Sequence, residues 1–321
     1  MCFGFNAPGA LRRSLEEKGV DRRNFLRGAA AAGVSVGLAG VGLASFGGTA
    51  AVAAPAAQAA RAAGRAVPPG LISIQLYTLR SIMRGDGVDA TLASLAGKGY
   101  TKVELAGLYG RTAEAMRSTL DSLGITPSSS HDGISATPAA LETKIANAVT
   151  LGQTHINVPY LVSASGDDWR RWADQMNAEA AVARQAGLKY GYHNHAHEFT
   201  TDLGGGLTPW DIFTSRLDPK LVHLEVDLYW AVTAGVGVGA EDPIQFAIDT
   251  IQQAPQKTLQ YHVKDRDAAG DFADLGTGAI DFARIFQAHT PKEYIVENDR
   301  PDVTPLQTAD VGYDYLRALR F

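Results

Sequence analysis

The sequence predicts a (β/α)8 barrel, an α/β fold in which eight parallel strands each lead into a helix. Two patterns predict it. Short β-rich runs alternate with helix-length segments about eight times after Leu71. Glycines stand at the joints from helix to strand, where a left-handed cap is wanted. An open doubly wound sheet is the rival, and it is weakened because no Gly-x-Gly-x-x-Gly turn follows the first strand.

The predicted strands are Leu71–Leu79, Lys102–Leu108, Thr126–His131, His155–Leu161, Leu188–His195, Leu221–Leu228, Thr258–Lys264 and Glu293–Asn298. Helical patterns fill the intervals. Asp89–Gly97 carries Leu92, Leu95 and Ala96 on one side. Thr112–Leu123 places Ala115, Met116, Leu120 and Leu123 at helical spacing. Trp169–Ala186 aligns Trp172, Met176, Ala180 and Ala183. Gly99, Gly124 and Gly187 each end a helix before the next strand.

The barrel does not start at residue 1. Asp21-Arg22-Arg23-Asn24-Phe25-Leu26-Arg27 precedes an uncharged Ala/Gly/Val/Leu run from Gly28 to Ala54, and Ala51-Val52-Ala53 offers a cleavage site. Adjacent arginines followed by Phe and Leu resemble a twin-arginine export signal. An uncleaved membrane anchor is the alternative, disfavoured by the many Ala and Gly residues. The expected layout is a signal over 1–54, a flexible Ala/Pro-rich lead over 55–69 and a catalytic barrel over 70–321. The expected location is outside the cytoplasm, after passage through the twin-arginine machinery, with no stable membrane partner after cleavage.

Cutting after Ala53 leaves 268 residues (321 − 53), which suits one barrel of about 250. Lys and Arg then number 23 and Asp and Glu 31, a net charge of −8. Such an acidic domain is a poor reader of phosphate backbones, so nucleic acid is excluded as a partner. The one cysteine, Cys2, lies in the signal, so the mature chain has neither disulfides nor thiol chemistry. A homo-oligomer is left open.

In a barrel of this kind, the C-terminal strand ends share one mouth. Strand five ends His193-Asn194-His195-Ala196-His197-Glu198, strand six Glu225-Val226-Asp227, strand seven His262-Val263-Lys264-Asp265 and strand eight Glu297-Asn298-Asp299. Glu104 lies on strand two and His131 ends strand three. Asp227, His262 and Glu297, with one residue from His193–Glu198, would make a mixed nitrogen and oxygen site. Two carboxylates and two neutral imidazoles would neutralise one divalent ion, manganese, cobalt, zinc or magnesium rather than a thiolate-seeking metal, with manganese favoured. Residue spacing does not choose among His193, His195 and Glu198, because a one-residue slip swaps the faces of a strand. Trp230 can wall the site or belong to the core. Asp265 can touch a ligand or cap a helix. Lone histidines such as His155 and His223 read as packed side chains, and Gly276-Thr277-Gly278 as a turn rather than a phosphate cradle.

These segments are familiar together. Gly-Tyr-His-Asn-His-Ala-His-Glu-Phe, Glu-Val-Asp-Leu-Tyr-Trp, His-Val-Lys-Asp, Leu-Gly-Thr-Gly-Ala-Ile-Asp-Phe and Val-Glu-Asn-Asp resemble the sugar phosphate isomerase/epimerase superfamily, the xylose-isomerase-like TIM barrels. The resemblance runs from about Leu71 to the C-terminus. It implies a metal held by the strand-five residue, Asp227, His262 and Glu297, and a small carbohydrate as substrate. The family usually places a glutamate on strand five; here the matching residue is His193. In the epimerases, glutamates on strands five and eight pass a proton from one face of the substrate to the other, so that replacement removes one carboxylate.

The expected chemistry is removal of a proton beside a ketone, with the enediolate oxygen stabilised by a divalent ion. Glu297, His131 and His195 are the candidate acids and bases, and Lys264 the candidate partner of a substrate oxygen. Glu104, Asn194, Trp230 and Asp265 are the candidate substrate contacts. Isomerisation or epimerisation of a keto-sugar or related polyol leads. Elimination or hydration on a 3-keto-glycoside is the rival at the same site. A phosphodiesterase of the endonuclease IV type would want more ligands and a basic face, and a non-catalytic sugar-binding protein would not need the four ligands.

Overall fold

A computed structural model describes residues 64–321. The predicted signal, and the predicted lead up to residue 63, lie outside the described residues. The last residues of that lead are not free chain. Arg65 and Phe321 exchange backbone hydrogen bonds of 2.7 and 3.0 Å, and Val67 is buried.

All eight predicted strands form, and they pair in parallel. They are β1 (Ile72–Gln75), β2 (Lys102–Leu105), β3 (Thr126–Ser130), β4 (His155–Val158), β5 (Lys189–His193), β6 (Val222–Asp227), β7 (Thr258–Val263) and, after a small hairpin of β8 (Asp265–Arg266) and β9 (Phe272–Ala273), β10 (Glu293–Val296). The sheet order is β3-β2-β1-β10-β7-β6-β5-β4. Its two edges meet along a thin seam, where His131 bridges Asn157 and the Thr154 N–H donates to the Ser128 carbonyl. The barrel is therefore nearly closed.

The helices are α1 (Gly87–Lys98), α2 (Ala113–Ser122), α3 (Pro138–Leu151), α4 (Gly166–Gln185), a short α5 (His197–Thr200), α6 (Pro209–Arg216), α7 (Leu228–Gly237), α8 (Pro243–Gln253), α9 (Phe282–Ala288) and α10 (Pro305–Ala318). Their starts are written locally. Thr112, Thr137, Thr208 and Thr304 each accept a backbone N–H of the first turn, and proline opens α3, α6, α8 and α10. Gly99 ends α1 at φ 113°, a conformation that a side chain would strain. Among the described residues no helix is long and apolar enough to cross a membrane.

Each predicted strand overran its C-terminal end. Leu76–Leu79 turns into a 3-10 helix, and β5 stops at His193. Leu76, Thr78, Leu79 and Leu228 are buried past the strand ends, and pattern alone cannot separate such burial from strand burial.

Apolar residues lie outside the strands, between sheet and helices. Ile72, Ile74, Val103, Leu105, Leu224, Val226, Tyr261 and Tyr294 share one apolar cluster; Ile156, Val158, Tyr190 and Tyr192 pack with Trp169, Ala173 and Met176 of α4 in a second. The intervening residues turn inward by strand alternation. They are mostly polar: Ser73, Gln75, Glu104, Ser129, Asn157, Glu225, Gln260 and Glu293 are all buried. The two N–H groups of one Asn157 amide are shared among Glu104 (3.2 Å), Glu225 (2.7 Å) and Gln260 (3.0 Å), tying four strands across the lumen. A methyl on Gly191 would collide with Asn157 Oδ1 and His223 Nε2, so this strand position needs the missing Cβ.

His155 and His223, expected to be packed side chains, sit edge to face at 5.1 Å below that network. Burial, with the neighbouring histidine and Lys189 adding to it, pushes His155 down to about 3 from the ordinary 6.5. Burial likewise pushes His223 down to about 4. The unfolded chain binds these protons near pH 6.5 and the folded chain does not until pH 3 to 4. Stability therefore falls as pH drops below 6.5, by up to about 1.4 kcal/mol per pH unit for each histidine. Urea midpoints of a His155→Gln, His223→Gln variant between pH 7.5 and pH 5 should fall less steeply than those of the parent. Equal slopes would show that these histidines are not the acid-sensitive groups.

Candidate metal centre

The centre grows from the end of β6. Asp227 is both the last strand residue and the N-cap of α7. Its Oδ1 accepts the Trp230 N–H at 2.9 Å, which fixes the carboxylate and leaves the buried Oδ2 to meet the Lys264 ammonium at 2.9 Å. β7 pairs in register with β6 so that His262 stands beside Asp227. Glu297 continues from β10, held by its N–H to the Val263 carbonyl at 3.2 Å. His193 ends β5. One ligand atom from each of His193, Asp227, His262 and Glu297 lies within 4.8 Å of every other.

Those four side chains are at most 5% exposed. His262 Nδ1 lies 2.7 Å from Glu297 Oε2, and His193 Nε2 lies 3.7 Å from Asp227 Oδ2. The Lys264 ammonium sits between the carboxylates, 2.9 Å from Asp227 Oδ2 and 2.8 Å from Glu297 Oε2, with Asp299 at 3.1 Å. Burial opposes charge on Lys264, but Asp227, Asp299 and Glu297 outweigh it and hold the ammonium well above its ordinary range. Burial would raise Glu297; Lys264 and His262 overcome it and hold the carboxyl well below normal. Asp299 is raised to about 6, chiefly by burial. His193 is lowered to about 4 by burial and by His262, so its ring is neutral and offers a lone pair.

The other predicted site residues are placed variously. His131 lies 2.8 Å from Glu225 and stacks on His262, 5.1 Å between centroids. His195 is neutral because burial lowers it; its Nδ1 has no partner among the described residues, and it packs against Trp230 at 5.3 Å and Tyr160 at 5.1 Å. Trp230 also presents a buried indole N–H without a partner. Three predicted contacts spend their polar atoms on the protein. Glu104 accepts from Gln75 at 2.8 Å and meets His262 Nε2 at 2.6 Å inside the lumen. The Asn194 amide exchanges hydrogen bonds with the Asp227 backbone, extending the β5–β6 ladder. Asp265 accepts the N–H groups of Arg266, Gly276, Gly278 and Ile280, so the glycine turn wraps a carboxylate of its own chain. Glu198 is turned away because it starts a helix: it accepts from the Tyr192 hydroxyl and the His195 N–H.

Sequence reasoning passed over three residues that the structure brings in. Glu225 lies one strand repeat below Asp227 and meets three histidines. Asp299 partners Lys264. Tyr160, 52% exposed just past β4, adds an aromatic face at the mouth. Glu225 and Asp299 both stood in the segments quoted above; two-residue alternation from Asp227 and from Glu297 was the signal for them.

The sequence matches the xylose isomerase-like TIM barrel family over residues 92–317. The chain belongs to that family. No curated protein matches it. Among solved structures, this xylose isomerase-like barrel is similar to a sugar phosphate isomerase/epimerase from Parabacteroides distasonis, with 23% identity, a TM-score of 0.64 and coverage of 79% of this chain and 95% of that one. It is also similar to the IolI protein with a bound zinc atom (16%, TM-score 0.57, 76% and 98% covered). A third is D-psicose 3-epimerase from Clostridium cellulolyticum with D-tagatose (15%, TM-score 0.53, 77% and 98% covered). At these identities the likeness is one of fold.

Proposed function

We propose that this barrel is a divalent-metal-dependent isomerase or epimerase of a keto-sugar or related polyol. The observation that carries the reading is the convergence of His193, Asp227, His262 and Glu297 at the C-terminal mouth, with ligand atoms within 4.8 Å. The residues fit an ion: the buried Asp227 Oδ2 and Glu297 Oε2 already converge on one positive charge, the Lys264 ammonium at 2.9 and 2.8 Å, and His193 is held neutral. Two nitrogens and two carboxylate oxygens suit manganese, cobalt, zinc or magnesium, with manganese favoured. When bound, the ion polarises a substrate carbonyl and makes the neighbouring C–H acidic. The family membership and the sugar epimerase named among the neighbours support a carbohydrate substrate.

The chain's own groups move the proton. Glu297 meets His262 and Lys264 through Oε2, leaving Oε1 to accept a proton or return it. His195, neutral and unpartnered at Nδ1, is the second carrier in place of a strand-five glutamate. Lys264 neutralises charge as it builds on a substrate oxygen. Trp230 and Tyr160 give faces on which a sugar ring can stack, and the Trp230 N–H a donor for a hydroxyl.

Keto-sugars incubated in deuterated water with metal-loaded protein should gain deuterium beside the carbonyl while keeping their carbon skeleton. Glu297→Gln should slow that exchange by at least about a hundredfold. Exchange accompanied by loss of a glycosidic group would replace isomerase by lyase. No exchange with any keto-sugar would leave a sugar-binding protein. We also propose export in the folded state through the twin-arginine route, with the metal loaded beforehand. Recovery of only metal-free protein from outside the cytoplasm would refute that order.

A further inference from the structure

We propose that the barrel offers a divalent ion a second, deeper seat, formed by His131, His193, Glu225 and His262, and that the two seats exclude each other. One atom from each of these four residues also lies within 4.8 Å of the rest. Glu225 Oε2 is the hub. His131 Nε2 approaches it to 2.8 Å, His193 Nδ1 to 3.3 Å and His262 Nε2 to 3.4 Å. The other oxygen, Oε1, is tied down by the Asn157 amide at 2.7 Å, so Oε2 stays aimed at the three rings. His193 Nδ1 is fully buried, with Glu225 Oε2 as its polar neighbour. Glu104 Oε2 lies beside the group, 2.6 Å from His262 and 3.2 Å from His131, ready to balance a second charge. Three imidazoles and one carboxylate make a compact four-coordinate set, which suits zinc or cobalt better than manganese.

The two seats share His193 and His262, but through opposite nitrogens. His193 turns Nδ1 to Glu225 and Nε2 to Asp227; His262 turns Nε2 to Glu225 and Nδ1 to Glu297. A neutral imidazole has one lone pair, so filling both seats at once would strip both rings of their last proton. Lys264 marks which seat is open. Its ammonium lies on Asp227 Oδ2 and Glu297 Oε2, the very atoms the upper seat would use, whereas among the described residues no lysine or arginine pairs with the lower group. An ion in the upper seat displaces Lys264 toward Asp299; an ion in the lower seat leaves it in place. The lower seat shares two histidines with the site proposed above but rests on ligands of its own, so either can fail without the other.

Anomalous scattering from crystals of the unaltered protein soaked in zinc tests this directly. Density at both positions, with occupancies summing to about one, or density at the lower position alone, is the expected result. Density only beside Asp227 and Glu297 overturns the lower seat, and full occupancy of both overturns their exclusion. Density at neither position overturns both sites. In solution, an Asp227→Asn, Glu297→Gln variant should keep about one cobalt ion per chain with an altered visible spectrum. A His131→Ala, Glu225→Gln variant should keep one with the other spectrum, and the combined variant should keep none. Loss of all cobalt from a folded Asp227→Asn, Glu297→Gln variant refutes the proposal. Should that variant not fold, the crystals of the unaltered protein decide.

Discussion

An Asp227→Ala, His262→Ala double variant is expected to hold no divalent ion where the parent holds about one per chain. His262 stands in both groups of ligands and Asp227 in the upper one, so the pair removes an essential member from each. Turnover should fall by at least about a thousandfold, since a lost Lewis acid withdraws several kcal/mol of transition-state stabilisation. Folding must be followed in parallel, because the lost cap of α7 costs about 1 kcal/mol and the loss of His262 leaves the buried Glu104 and Glu297 without a ring at 2.6 and 2.7 Å. Elemental analysis beside circular dichroism checks it. Metal retained at the parental level would end the metalloenzyme reading.

Glu179→Ala is expected to be the most destabilising single change away from the mouth, by about 3–5 kcal/mol. Glu179 on α4 is 3% exposed, pairs with Lys144 of α3, and accepts the Tyr190 hydroxyl at 2.8 Å and the Ser135 N–H at 2.7 Å. Truncating it leaves a lysine whose side chain is only 8% exposed with no counter-charge, together with two orphaned donors. Urea unfolding measures the loss. A Lys144→Met, Glu179→Leu double variant should recover most of it, because no unpaired charge remains. A single variant as stable as the parent would mean that Lys144 reaches water when its partner is gone.

Much of this was legible in the sequence, for identifiable reasons. Eight β-then-α units survive as eight strands because period-two and period-3.6 patterns are local and repeated. Gly99, Gly124 and Gly187 all adopt positive φ, as their places between helix and strand required. Asp227, His262 and Glu297 could be grouped in advance because all three stand at strand ends, and a parallel barrel brings strand ends together. The lumen was not legible. Asn157 bonds Gln260, Gln260 bonds Glu293 and Gln75 bonds Glu104 across the barrel, and that pairing depends on inter-strand register, which no single segment carries. The same gap hid Glu225 and the protein partners of Glu104 and Asn194.

The lining of the barrel has one more implication. Greasy side chains form a ring around the staves, and the hollow they enclose is filled with acids, amides and imidazoles. Cohesion and chemistry therefore occupy different territories, the annulus and the bore. Exchanges of similar volume within the bore that keep donors matched to acceptors can retune acidity and ion preference while the annulus, untouched, goes on holding the molecule together. A lineage of such barrels has room to change what it does without first relearning how to fold.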